Sequence, residues 1–293
     1  MKQILVIGGT RFIGKHLVKH LLSASHQVTI ATRGNSNDEF GSQVSRIVFD
    51  RHNENSIKEK IGAKHYDVVF DNLAYCSNDI EILLPNIKCD KYIAISSTAV
   101  YEPLAGEVKE SDFDPCKITY SNTLRDINQY SQGKRLMEAA ICQKFPHIKA
   151  IRVRFPYVIG LDDYTKRLDK YLEYFITRKP LYIDNIHSKM SFIDSAEAGK
   201  FLAFLIDQSE FVGAINAASS LEISIYDCFK KLCNDEIELD RIIEKSFNDN
   251  GAEPAPYNKQ SSYKINVDLA HSLGYCFPSI EYTINEMVKN KVQ

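Results

Sequence analysis

The feature that most constrains this chain is a tight glycine turn between an apolar strand and a helix, close to residue 1. Gln3–Ile7 is an apolar run, Gly8-Gly9-Thr10-Arg11-Phe12-Ile13-Gly14 follows, and Phe12, Ile13, Leu17, Leu21 and Leu22 then recur at helical spacing up to Ser23. A strand that turns at once into a helix leaves backbone N–H groups and the helix N-terminus free to meet a pyrophosphate. Gly8 makes the tight turn and Gly14 lets the helix pack closely on the sheet, with Thr10, Arg11, Phe12 and Ile13 between them. Such a turn needs glycine for backbone reasons alone. Its place after the first strand is what favours dinucleotide binding.

The rest of the first half repeats the alternation. Further strands are expected at Gln27–Thr32, Arg46–Phe49, Asp67–Phe70, Lys91–Ser96 and Ala150–Val153, with a long helix over Asn122–Phe145. Strands alternating with helices give an α/β fold, a doubly wound parallel sheet covered on both faces. After Pro156 the rhythm changes: helices are expected at Tyr164–Thr177 and Ser195–Ile206, a short extended piece at Leu181–Ile183, and a turn-rich loop over Asn248–Pro256. The expected division is a dinucleotide-binding domain over 1–155 and a smaller, mainly substrate-binding portion over 156–293, with residues 191–220 returning to the first domain.

Composition excludes rather than selects. In 293 residues, 36 Lys+Arg oppose 38 Asp+Glu, a net charge of −2, so no global basic field announces a nucleic-acid binder. The N-terminal residues lack the pattern of a signal peptide and no stretch is apolar enough for a membrane span, so a cytoplasmic protein without a membrane partner is expected. Seven cysteines, odd in number and without a Cys-x-x-Cys pair, read as reduced packing thiols. His16 and His20 share a helix face, but without a nearby carboxylate or third ligand they read as solvated, and no metal is expected.

An NAD site usually places an acid at the end of the second strand to hold the ribose hydroxyl. Here that strand ends Ile30-Ala31-Thr32-Arg33-Gly34. Arg33 and Arg11 could instead clamp a 2′-phosphate, which favours NADP over NAD and leaves NAD open; the alternative is two solvated surface charges. Asp50 could accept from the adenine amino group, or simply cap a turn.

The fifth strand ends Ser96-Ser97-Thr98-Ala99-Val100-Tyr101, where such a sheet opens onto its ligand crevice. Downstream, Tyr130 and Lys134 are four apart and share a helix face. A phenol of pKa near 10 is a poor base at neutral pH, and bringing it to about 7 needs roughly 4 kcal/mol of differential stabilisation, which a nearby ammonium and a cationic nicotinamide can supply.

Together the glycine loop, the Ser-Ser-x-x-Val-Tyr strand end and Tyr-x-x-x-Lys resemble the short-chain dehydrogenase/reductase superfamily, and within it the extended and atypical NAD-dependent epimerase/dehydratase branch, which has a Rossmann fold. Arg154-Phe155-Pro156-Tyr157-Val158-Ile159-Gly160 and Ser191-Phe192-Ile193-Asp194 look like later motifs of that branch, so the likeness covers nearly the whole chain. It implies that Ser97 orients and polarises a substrate oxygen, that Tyr130 is the acid/base, and that Lys134 binds the nicotinamide ribose and lowers the tyrosine pKa. It also implies that Ala74, in Asn72-Leu73-Ala74-Tyr75, lies against the cofactor. Many members are dimers through the tyrosine helix, which leaves a homodimer as an expectation.

Two departures narrow the reading. Arg11 stands where extended members usually have a further glycine, a loop more like that of an atypical subgroup including chloroplast stem-loop RNA-binding proteins; RNA association is therefore an alternative, as is a dinucleotide-sensing regulator. Similar dehydratases and decarboxylases carry acids after the hydroxyl residue, where this chain has Thr98 and Ala99, and neither can act as a carboxylate base. Dehydratase and decarboxylase therefore fall behind 4-epimerase or simple carbonyl reductase chemistry on a nucleotide sugar or other small carbonyl/alcohol substrate. Asp162, Asp163, Lys166 and Arg167 could line the substrate site or form a charged turn, and Tyr157 and Tyr164 could stack on a base or pack in the core.

Overall fold

The computed structural model describes residues 1–177, 181–232, 243–244, 255–258 and 261–292. The chain runs β1 (Gln3–Ile7), α1 (Phe12–Ser23), β2 (Gln27–Thr32), β3 (Ser45–Val48), α2 (Glu54–Lys60), β4 (His65–Asp71), α3 (Ser77–Leu83), β5 (Lys88–Ser97), β6 (Gly106–Val108), α4 (Tyr130–Ala139), β7 (Ala150–Phe155) and β8 (Tyr157–Ile159). It continues through α5 (Arg167–Thr177), β9 (Leu181–Tyr182), β10 (Phe192–Asp194), α6 (Ser195–Phe204), β11 (Gly213–Asn216), α7 (Ile225–Leu232), β12 (Ile243–Glu244), β13 (Tyr263–Ile265), α8 (Asp268–Ser272) and α9 (Ile280–Val292).

The central sheet has seven strands in the order β11-β7-β5-β4-β1-β2-β3, all paired parallel. This is the doubly wound sheet that the alternation of strands and helices predicts. The two sides of β1 show why these residues make it. Ile4 and Val6 enter one core with α1 and α6, while Leu5 and Ile7 enter another with α2, α3 and α4, as the period of two along a strand requires. Both faces are covered, so the strand reads as a continuous apolar run. Strand order reverses between β1 and β4, which opens a crevice at their C-terminal ends. A third core, built around Tyr171, Phe192, Tyr257, Tyr263 and Ile284, lies mainly in the C-terminal portion and takes in Val100, Tyr101 and Val108 from the first half.

Two expectations about elements are corrected, and one strand is added. The helix expected over Asn122–Phe145 starts only at Tyr130: Leu124 and Ile127 are exposed and bury no face, and the Asp126 side chain accepts from the Asn128 N–H to hold a separate turn. The helix expected from Tyr164 starts at Arg167, because Lys166 adopts a positive φ of 51°. β11 joins the sheet edge beside β7, a seventh strand that apolar runs alone do not reveal. Of the loop expected over Asn248–Pro256, residues 248–254 lie outside the described residues, as does Cys233.

α6 shows a helix start dictated locally. Asp194 caps it, its carboxylate accepting from Ala196 N at 2.7 Å and Glu197 N at 3.1 Å. Gly199 then brings α6 against α1: a Cβ there would lie 2.6 Å from the His16 Cβ.

Candidate active site

A cavity of about 690 Å³ opens at the crevice, lined by the glycine loop and by Ser97, Tyr130 and Lys134. At its floor Gly8 has φ +83°, and a Cβ on Gly14 would stand 2.1 Å from the Gly8 carbonyl oxygen. Asn72, at the end of β4, donates to that same oxygen at 3.0 Å and fixes the turn. Phe12 also has a positive φ, 51°, rare for a residue with a side chain, and its ring meets Tyr164 edge-on at 5.8 Å. Thr10, Arg11 and Ile13 complete this wall.

Arg11 and Arg33 both line the cavity and both are exposed, and among the described residues neither is engaged by a carboxylate. Asn35 and Ser36 lie beside them on the same wall. Asp50 is not on the wall: its carboxylate accepts from the His52 N–H at 2.9 Å, closing a turn. The neighbours Arg51 and His52 line the cavity instead. Ala74 is fully buried behind Leu73 and Tyr75, which carry the wall there.

Arg51 is a residue that sequence reasoning missed. Its guanidinium donates to Asp71 at 2.8 and 3.2 Å and stands 3.3 Å from the Asp79 carboxylate, all three groups being buried. Asp79 also accepts from the Tyr75 and Cys76 N–H groups, and Tyr92 donates to Asp71 at 2.8 Å. Arg51 and Asp71 hold one another charged: despite the burial of both, the guanidinium is pushed up and the carboxyl down. No spacing in the sequence signals this pairing across 20 residues. Asn72 could have been found, because it sits directly after the strand that ends at the crevice.

The two strand-end serines divide. Ser96 is buried and donates to Glu138 at 2.6 Å, whereas Ser97 faces Tyr130 and also accepts from the Ala99 N–H at 3.2 Å. Below them Arg154, fully buried, donates to Glu138 at 2.7 and 2.9 Å and to the Tyr101 hydroxyl at 2.8 Å. Tyr101 in turn donates to Asn216 at 2.7 Å, so the network ties β5, α4, β7 and β11 together under the site.

Enclosure at the cavity, with 40% of the residue still exposed, pushes the Tyr130 phenol up to about 12; the Ser97 hydroxyl pulls the other way, Tyr75 adds to the rise, and Arg167 and Arg125 oppose it. Burial lowers Lys134 to about 8, against the pull of Asp71 and Asp79. Its Nζ donates to the carbonyls of Ala74 at 2.6 Å and Ile95 at 2.8 Å and lies 4.6 Å from the centre of the Tyr75 ring. The protein's own groups therefore keep the phenol protonated at neutral pH.

The reading of His16 as solvated is corrected. Its Nε2 lies 2.9 Å from an Asp162 oxygen, and Ser195 donates to the other oxygen at 2.7 Å. The carboxylate comes from 146 residues further on and reaches the helix only through tertiary packing. Asp163 holds a local turn through Thr165, at 2.9 and 2.6 Å, and Arg167 reaches the cavity wall. Among the described residues no cluster of three or more His, Cys, Asp or Glu could hold a metal, and no helix is long and apolar enough to cross a membrane.

Comparison with known proteins relates this fold to others. Residues 4–81 match the family described as NAD dependent epimerase/dehydratase. The chloroplast stem-loop binding protein of 41 kDa b of Arabidopsis thaliana is 35% identical over 114 residues, 34% of this chain and 30% of that protein, so the match spans less than a third of the relative. The fold is shared with the epimerase Mth375 of Methanothermobacter thermautotrophicus, at a TM-score of 0.74 and 16% identity over 98% of this chain and 91% of that one. It is shared likewise with the UDP-glucuronic acid 4-epimerase of Bacillus cereus in complex with NAD, at 0.66 and 18% over 98% and 95%.

Proposed function

We propose that this chain, which fits the extended NAD-dependent epimerase/dehydratase branch of the short-chain dehydrogenase/reductase superfamily, is an NADP-linked epimerase or carbonyl reductase acting on a nucleotide sugar or another small carbonyl/alcohol substrate. The observation that carries the reading is one cavity lined by both a glycine cradle and a Ser97–Tyr130–Lys134 set. The cradle fits a dinucleotide: the bare Cα of Gly14 lets α1 close against the Gly8 carbonyl, and α1 presents its N-terminus to the cavity there. Arg11 and Arg33 would hold a 2′-phosphate and Lys134 the nicotinamide ribose, while the buried Ala74 would support the wall from behind. Bound there, the nicotinamide would supply the hydride donor and acceptor that the reaction needs.

The chain's own residues handle the proton. Tyr130, protonated at neutral pH, gives its proton to a substrate carbonyl oxygen in the reducing direction and takes it from the alcohol in the other. Ser97, which lines the same cavity as the phenol, holds that substrate oxygen in reach. The Lys134 ammonium, fixed on two carbonyls, offers the positive charge that eases loss of the phenol proton. Thr98 and Ala99 supply no second acid or base, which supports epimerisation or reduction over loss of water.

Thermal shift with each dinucleotide tests the reading, since a ligand at 100 times its Kd stabilises by about 2.7 kcal/mol. NADP(H) is expected to stabilise more than NAD(H). Stabilisation by NAD(H) alone would remove the 2′-phosphate role of the arginines, and stabilisation by neither would overturn dinucleotide binding.

The stem-loop binding relative favours a second reading, RNA association on the same scaffold. It requires tight, strongly salt-dependent retention of structured RNA in a filter-binding series. The net charge of −2 speaks against it.

A further inference from the structure

The cavity carries more positive charge than a dinucleotide accounts for. Two of its arginines stand apart from the glycine loop and act electrostatically on Tyr130: Arg125, in the segment before α4, and Arg167, at the start of α5. Each is held by aromatic rings. The Arg125 guanidinium lies 3.8 Å from the centre of the Tyr75 ring. That of Arg167 lies 5.4 Å from the Tyr157 ring and 5.6 Å from the Tyr257 ring, with its Nε donating to the Thr165 hydroxyl at 3.1 Å. Among the described residues neither meets a carboxylate. The wall itself carries two acids: Asp79, engaged with Arg51, and Glu102, beside Tyr157.

Contact with a ring face fixes a guanidinium while leaving N–H groups at its edge free for in-plane hydrogen bonds. Carboxylates and phosphates have the geometry to accept them in pairs. Two such groups next to the acid/base, opposed by one carboxylate, form a receptor for an anion.

Resting on the reading of Tyr130 as the acid/base, we propose that the substrate carries an anionic group, carboxylate or phosphate, close to its reacting carbon, and that Arg125 and Arg167 bind it and so aim that carbon at Tyr130. Arg125 comes from the dinucleotide-binding half and Arg167 from the C-terminal portion, so the anion would bridge the two.

The test is the thermal shift of the full chain, saturated with NADPH, on adding inorganic phosphate, D-glucuronate or D-glucose at matched ionic strength. A charged probe is expected to raise Tm where glucose does not, and Arg125→Met and Arg167→Met are each expected to lose that gain while keeping the wild-type response to NADPH. A gain from phosphate alone identifies a phosphate and one from glucuronate alone a carboxylate, each supporting the site. Failure of both charged probes to raise Tm, or a gain undiminished in both variants, overturns it. If NADPH itself does not stabilise, the cofactor reading fails instead; the anion probes are then read without it, and the gain must survive Arg33→Ser but not Arg125→Met.

Discussion

The ammonium of Lys134 donates to the Ala74 carbonyl at 2.6 Å and stands 5.8 Å from the centre of the Tyr130 ring. Its hydrogen bonds go to backbone carbonyls, those of Ala74 and Ile95. Burial lowers its pKa from 10.5 to about 8, so the folded chain binds fewer protons here than the unfolded chain between those values. Stability from this group therefore rises with pH across that window. The unfolding free energy of wild type minus that of Lys134→Met is expected to increase by about 3 kcal/mol between pH 8 and 10.5. Denaturant titrations at several pH values give the difference, and a flat one would contradict the burial penalty.

Tyr130 moves the opposite way. Subtracting the ultraviolet pH titration of Tyr130→Phe from that of the wild type isolates one phenol, expected to ionise near 12 in the protein alone. Saturation with NADP+ should bring the midpoint down, since a cationic ring nearby favours the phenolate. A midpoint near the ordinary 10 without dinucleotide would show that enclosure in the cavity does not govern this group.

At the cradle, Gly14→Ala sets a methyl 2.1 Å from the Gly8 carbonyl. Backbone must shift, so a loss of about 1–3 kcal/mol and of the NADPH thermal shift is expected. Gly41→Ala is the control: φ is +52° but nothing lies within 4 Å of the added Cβ, so it should cost about 1 kcal/mol and leave binding intact.

Beneath the site, Glu138→Gln strips the charge opposing Arg154 where both side chains are fully buried. Breaking such a pair costs about 3–5 kcal/mol. Adding Arg154→Met should recover part of the loss, because the fully buried cation is then gone and only Arg152, 3.5 Å from Glu138 and partly exposed, has lost its carboxylate. Urea unfolding of the single and double variants measures both.

Arg33 separates the cofactors. Arg33→Ser should weaken NADPH by about tenfold, or about 1.4 kcal/mol, and hardly change NADH. Equal weakening of the two in fluorescence titrations would mean that Arg33 does not read the 2′-phosphate.

Features governed by local backbone demands were legible. β1, β2 and α1 occur where apolar periodicity and the glycine turn require them, and Tyr130 and Lys134 share α4 because their spacing is one helical turn. The start of α4 was not legible: Leu124 and Ile127 extend the apolar pattern upstream, yet both are exposed. Periodicity records which residues could be buried together, not whether a surface is there to receive them. Asp50 shows the limit from the other side, since an acid at a strand end suits a ligand or its own turn equally well.

By itself the sequence determined the alternating sheet, the glycine cradle and the tyrosine–lysine pair, since each follows from backbone geometry within a few residues. The tertiary structure alone decided which serine faces Tyr130, that Arg51 turns inward to Asp71, that His16 meets Asp162, and that Arg125 and Arg167 share a cavity. Those depend on groups distant along the chain, and only the packing of the sheet and its flanking helices brings such groups within hydrogen-bonding or electrostatic reach.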